Sequence, residues 1–150
     1  MKYEIISGPV KYQIFKDKQL RAEVCIQLTD QDIQHAKVFD VKNGIYYQSD
    51  FDLSLTRVPG IARSVYFFDR EVVRFVFQDV FTYRVQTCHE ELFTIHIHDD
   101  GIDITEDISN KKVANIINNP YNNHSIIEFF DLFNEDLQLA MALFPCIRFV

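Results

Sequence analysis

His96 and His98 stand two residues apart in the run Leu92 to His98. On a strand, successive side chains point to opposite faces, so both imidazoles would share one face while Phe93, Ile95 and Ile97 take the other. Asp99 and Asp100 follow at once, and His89 lies one loop away. Two histidines on one strand beside a carboxylate suit zinc or non-haem iron, with His96 and His98 as ligands and Asp99, Asp100 or His89 completing the set. The position of a third ligand is not defined by the spacing. A His-X-His pair is also the ordinary polar face of a solvated strand, so no metal is assigned. Cys88-His89-Glu90-Glu91 puts a thiol beside an imidazole. A nucleophile and its base meet in space from separate segments, however, and this run reads as a polar loop. The four glycines, at 8, 44, 60 and 101, are isolated in turns. They form neither a phosphate loop nor a dinucleotide fingerprint. With no Gly-X-Ser-X-Gly elbow either, no cofactor and no catalytic residue is assigned, and the chain is not expected to be an enzyme.

The carboxylates are more informative. The formal charge is −7, and it is unevenly placed: residues 1–86 carry 12 Lys/Arg against 11 Asp/Glu, whereas residues 87–150 carry 3 against 11. A nucleic-acid or anionic-membrane binder needs a cationic surface, so those classes are disfavoured. An acidic half suits a basic protein by electrostatic steering. Asp99, Asp100, Asp103, Glu106 and Asp107 fall within nine positions, and Glu128, Asp131 and Glu135 follow on what reads as one helix face. These eight residues are the expected partner-binding surface. The bland alternative is a solvated face that keeps the chain soluble.

The elements that would position these groups centre on Ile61 to Thr105. Val73, Phe75, Phe77, Phe81, Tyr83 and Val85 occupy every second position apart from Asp79, which predicts one long strand. Ser64 to Phe68 precedes it across a turn at Asp69-Arg70, Leu92 to His98 follows, and Asp99-Asp100-Gly101 turns the chain into Ile102 to Thr105. Short loops make these strands antiparallel neighbours. Upstream, Tyr3 to Ile5, Val10 to Ile14 and Leu20 to Leu28 alternate as strands, with Lys16-Asp17-Lys18 as a turn. Thr29 to Phe39 reads as a short helix capped by Asp30, and Ile45 to Val58 as extended chain. Two helices are expected at the end. One runs from about Asp107 to Asn118, stopped by Asn118-Asn119-Pro120. The other begins with the capping-box spacing of Ser125 and Glu128. It carries Phe130, Phe133, Leu137, Met141 and Phe144 on its apolar face, with Glu128, Asp131, Glu135 and Gln138 opposite.

A hydrophobic content of 47% with 14 Phe is globular composition. The fold expected is α+β: one domain over 1–150, a large, mainly antiparallel curved meander with two C-terminal helices packed on one face. No apolar run approaches the ~18 residues a membrane span needs, Met1 to Gly8 lacks a signal-peptide apolar core, and three cysteines form no paired pattern. A cytoplasmic protein with reduced thiols is expected. Three functions follow from these features. The first is a protein that neutralises a basic partner through its acidic half, in the manner of an immunity protein against a toxin nuclease. The second is a metalloprotein built on His96 and His98, and the third a self-associating module.

Overall fold

The computed structural model describes residues 1–8, 10–87, 92–119 and 123–147. It contains twelve strands: β1 (Lys2–Ser7), β2 (Lys11–Lys16), β3 (Gln19–Leu28), β4 (Ile33–Asp40), β5 (Ile45–Asp52), β6 (Ala62–Phe67), β7 (Arg70–Asp79), β8 (Thr82–Thr87), β9 (Leu92–His98), β10 (Gly101–Glu106), β11 (Lys112–Asn119) and β12 (His124–Phe129). Two short helices follow, α1 (Glu135–Ala142) and α2 (Phe144–Ile147). Each strand pairs antiparallel with its neighbours in the chain, and β1 pairs with β12 through Tyr3↔Ile127 and Ile5↔Ser125, closing the sheet into a barrel. The expected open α+β sheet with two helices on one face is therefore corrected to an up-and-down β-barrel.

Turn chemistry builds the meander. Asp17 and Lys18 both hold positive φ (52° and 64°), the backbone of a two-residue hairpin whose twist matches its strands. At Gly101 (φ 151°) a Cβ would sit 2.6 Å from the Ile116 carbonyl oxygen, so the β9–β10 corner requires glycine. The long strand expected over Val73 to Val85 is instead the hairpin β7–β8, folded at Val80-Phe81, with Phe75↔Val85 and Phe77↔Tyr83 in register. Its period-2 pattern runs on through the turn because the register shifts by one residue between Phe77 and Asp79, which returns the odd-numbered positions to the inner face on both strands.

The helices expected at 29–39 and 107–118 are strands or turns; the helix expected from Ser125 is strand β12 and a bend up to Asn134 and helical beyond it, as α1. In β4 the inward positions are Ala36, Val38 and Asp40, and a buried carboxylate hides the alternation. In β11 a bulge opposite Ile104/Thr105 buries Val113 and Ala114 together, which breaks period 2 and imitates helical spacing. Asp107 lies in the β10–β11 turn and caps nothing helical, and Ser125 and Glu128 lie on β12. Phe133, expected in the core, is 78% exposed.

Alternate residues are buried on strands all around the barrel, so the covered face is the lumen. With strand spacing of ~4.8 Å and tilt of ~40°, twelve strands close at a radius of roughly 12 Å, too wide for wall side chains alone to fill. The C-terminal segment fills it. α1 starts at the mouth where Glu135 meets Lys16 and Lys42, and Leu137 to Ala142 are buried on every side. Phe144 packs on Phe75 and Tyr83 (ring centroids 5.6 and 5.0 Å). Gln138, expected on a polar stripe, is fully buried; it accepts from the Tyr3 hydroxyl at 2.7 Å and donates to the Leu132 carbonyl.

Two predictions test the plug. Leu139→Ala should cost ~2–5 kcal/mol and Phe133→Ala less than ~1 kcal/mol in chemical denaturation. An equal loss at both positions would contradict a lumenal α1. The Tyr3 hydroxyl is pushed up to about 12, chiefly because burial disfavours the phenolate, with Arg21 opposing and Glu135 and Asp17 adding. The unfolded chain releases this proton near pH 10 while the folded chain keeps it. Stability should therefore fall as pH rises from 10 towards 12, and Tyr3→Phe should flatten that fall. At neutral pH the same variant should lose ~1–3 kcal/mol, because Gln138 is left without its donor.

Candidate functional site

Alternate turns of an up-and-down barrel share one end. The turns β2–β3, β4–β5, β6–β7 and β10–β11 lie at the mouth where α1 enters, and β1–β2, β3–β4, β5–β6, β7–β8 and β9–β10 lie at the far mouth. This geometry separates the residues expected to form one acidic surface. Asp99 and Asp100 are exposed at the far mouth. Glu106 and Asp107 are at the entry mouth, about 20 Å of strand away. Asp103 sits between them on the outer wall, 3.0 Å from His98 Nε2 and 3.2 Å from Lys112 Nζ. Glu128 lies on the outer wall of β12, 3.9 Å from Lys2, and Asp131 is exposed at the entry mouth in a left-handed conformation (φ 48°).

Several of these carboxylates already have intramolecular partners. Asp107 Oδ2 is 2.5 Å from Arg84, and its Oδ1 accepts from the Thr94 hydroxyl at 2.6 Å. Glu135 lies between Lys16 (3.0 Å) and Lys42, whose hydrogen bonds hold its carboxyl down at about 2. Asp99, Asp100, Glu106 and Asp131 have no ion-pair partner among the described residues.

The far mouth joins Asp99 and Asp100 to carboxylates from the near-neutral half of the sequence. Its loops are tied side by side: Leu53 N donates to the Asp32 carbonyl (2.9 Å), Phe77 N to that of Ile61 (3.1 Å) and Ile97 N to that of Phe81 (2.7 Å). Asp30, Asp32 and Asp79 are exposed there, and Asp52 is half-buried. Asp52 is hydrogen-bonded by Ser54, whose side chain first and backbone N–H next hold its carboxyl below the ordinary range, and Asp79 accepts from Phe81 N at 2.8 Å. Leu28, Leu55, Val58, Val80 and Phe81 are exposed among them, Phe81 by 64%. Arg57 is the only Lys or Arg in the loops 29–32, 53–61, 80–81 and 99–100. The sequence signal that would have found Asp30, Asp32, Asp52 and Asp79 is their position in or beside alternate turns of one meander.

His96 and His98 are exposed on the outer wall, and Asp103 stands in register with His96 and hydrogen-bonded to His98. His89, with the rest of the run Cys88 to Glu91, lies outside the described residues. Among the described residues no group of three His, Cys, Asp or Glu is placed to hold a metal ion. Comparison of the chain with protein-family models, curated proteins and solved structures gives no match.

The two classes of carboxylate should differ in stability assays. Asp107→Asn loses a partly screened ion pair and weakens a hydrogen bond, and should cost about 1 kcal/mol. Asp99→Asn should stay within ~0.5 kcal/mol of the parent. A larger loss at Asp99 would show that the far-mouth carboxylates hold the fold rather than face a partner.

Proposed function

We propose that the protein binds a basic protein partner through the far mouth of its barrel. The observation that carries this reading is the arc of adjacent loops in which Asp30, Asp32, Asp52, Asp79, Asp99 and Asp100 alternate with exposed Leu28, Val58, Val80 and Phe81 around a single Arg57. Apolar tips give contact area that leaves water on docking, and the carboxylates around them select a cationic surface and speed encounter. Loops held by a rigid sheet are the usual place for such a surface. Inhibition by occlusion is the matching mechanism: the carboxylates engage Lys or Arg that the partner would otherwise present to an anionic substrate. An immunity-type inhibitor of a toxin nuclease is the functional model. The surface replaces the single acidic face expected from the sequence, and keeps only Asp99 and Asp100 of it.

Charge reversal tests the proposal. Wild-type protein, a rim variant (Asp30, Asp99 and Asp100 to Lys) and a control variant (Asp17, Asp69 and Glu106 to Lys) are immobilised and exposed to lysate of the producing cell. A basic protein should bind wild type and control, be lost from the rim variant, and elute with salt. In association kinetics the rim variant should lose ~1–3 kcal/mol of affinity, mostly in the on-rate. Equal retention by both variants would rule out the far mouth as the interface.

A further inference from the structure

A cavity of about 400 Å³ opens at the entry mouth, on the opposite end from the rim just described, between α1 and the inner face of β5–β8. Its floor is apolar: Leu139 and Leu143 of the plug face Tyr47 and Phe67 of the wall, whose ring centroids lie 5.7 Å apart. Two charged side chains, Arg70 and Asp136, also line it, both exposed to solvent at its opening.

Arg70 is there because of a backbone irregularity. The β6–β7 register shifts at Val65/Tyr66, so that Phe67 pairs with Arg70 while Val65 pairs with Val73. Directly paired residues share a face, and Phe67 follows buried Arg63 and Val65 at period 2 on the lumenal side. The bulge thus turns Arg70 onto the cavity side, where unbroken alternation from Val73 would have put it outside; re-aiming a side chain is a common use of a bulge. Asp136 comes from the first turn of α1 on the facing side. The two opposite charges line one cavity yet form no ion pair with each other or with any other described residue. Tyr47 lines the same cavity, and its hydroxyl proton is held more tightly than usual by burial first, then by Asp136 and Asp40, with Arg21 and Arg70 acting in the opposite sense.

We propose that this cavity binds a small zwitterion with an apolar body, an α-amino acid with a large aliphatic or aromatic side chain being the class that fits. Arg70 takes the carboxylate as a guanidinium donor. Asp136 takes the ammonium, and the side chain lies between Tyr47, Phe67, Leu139 and Leu143. A few polar groups at the edge of an otherwise apolar concavity is the usual make-up of a small-molecule site. A simple fatty or aromatic acid would leave Asp136 facing a second negative charge, and a simple amine would leave its own charge beside Arg70.

The experiment is calorimetric titration of the full chain with L-phenylalanine, 3-phenylpropionate and phenethylamine. L-phenylalanine should bind, and the two singly charged analogues at least tenfold more weakly. Arg70→Gln and Asp136→Asn should each weaken L-phenylalanine at least tenfold while leaving the thermal midpoint near that of the parent. Ala140→Leu, which fills the cavity and removes no charge, should abolish binding. Reversal of Asp30, Asp99 and Asp100 at the other mouth should leave it unchanged, so that this site and the protein-binding rim fail or stand separately. Equal binding of 3-phenylpropionate or phenethylamine would overturn the zwitterion assignment. Absence of heat with all three probes, or binding that survives Ala140→Leu, would overturn the site.

Discussion

The buried guanidinium of Arg63 sits where the barrel is least well sewn. The β5–β6 seam has a single registered pair, Gln48↔Tyr66, whereas β4–β5 pairs along the whole strand from Ile33↔Asp52 to Asp40↔Ile45. Arg63 bridges this seam from β6. Its Nε donates to Ser49 Oγ at 2.9 Å and its Nη2 to the Ser49 carbonyl at 3.3 Å, both on β5. Its Nη1 reaches Gln34 Oε1 on β4 and the Ile147 carbonyl at the end of α2, 3.0 Å away. One side chain therefore ties three strands to the plug. Burial pulls its pKa down to about 10, a direct sign of what desolvating this cation costs. That cost is offset only while every strand and the plug are in place, since a buried charge is tolerated only with its hydrogen bonds made. Opening the seam and withdrawing the plug are thus coupled events rather than independent ones.

The same coupling explains why the plug is apolar all round. A surface helix shows one apolar stripe, whereas a helix enclosed by a barrel meets wall on every side. Only Gln138 in the run Leu137 to Phe144 is polar, and its amide is consumed by Tyr3 and Leu132. At the entry mouth Glu135 clamps β2 and β4–β5 through Lys16 and Lys42, so the plug is fixed at its start by ion pairs and at its end by Arg63. Asn134 caps α1 by accepting from Leu137 N, which gives the chain a defined place to leave the wall and enter the lumen.

Local chemistry was legible in the sequence where turns and alternation agree, as in β1 to β3 and in most of β6 to β10. It misled where the pattern was locally broken. The bulge beside Val113 and Ala114, the buried Asp40 at the end of β4 and the adjacent Ile126-Ile127 on β12 each disguise period 2. Closure was not legible at all. The pairing of Tyr3 with Ile127 is a contact across nearly the whole chain, and no local rule announces it. That omission also hid how the carboxylates are distributed between the two mouths. Read as an open sheet beside helices, the carboxylates of 99–107 looked like neighbours around one turn and a helix start; the strand between them, β10, carries Asp99-Asp100 to one mouth and Glu106-Asp107 to the other. Conversely Asp30, which looked remote, shares a mouth with Asp99 because alternate turns meet.

Closure also restricts how the protein can recognise anything. Each of the twelve strands has a neighbour on both sides, so among the described residues the sheet offers no free edge for strand addition. Recognition by main-chain hydrogen bonding to an extended peptide would require breaking the ladder, and the β5–β6 seam, with its one registered pair, is buttressed against that by Arg63. The remaining surfaces are the outer wall and the two mouths. On the wall, outward side chains are drawn into local pairs such as Lys11–Glu23, Glu71–Arg74 and Asp103–Lys112. The mouths are unlike each other because the plug enters by one of them. Its entry brings the first turn of α1, with Asp136, and an apolar-floored cavity to that end, while the other end presents turns with Pro145 and Cys146 of α2 beside the β1–β2 turn. An asymmetric plug in an otherwise repetitive wall is what gives the two ends different chemistry, and makes a macromolecular contact at one and a small-molecule site at the other physically compatible.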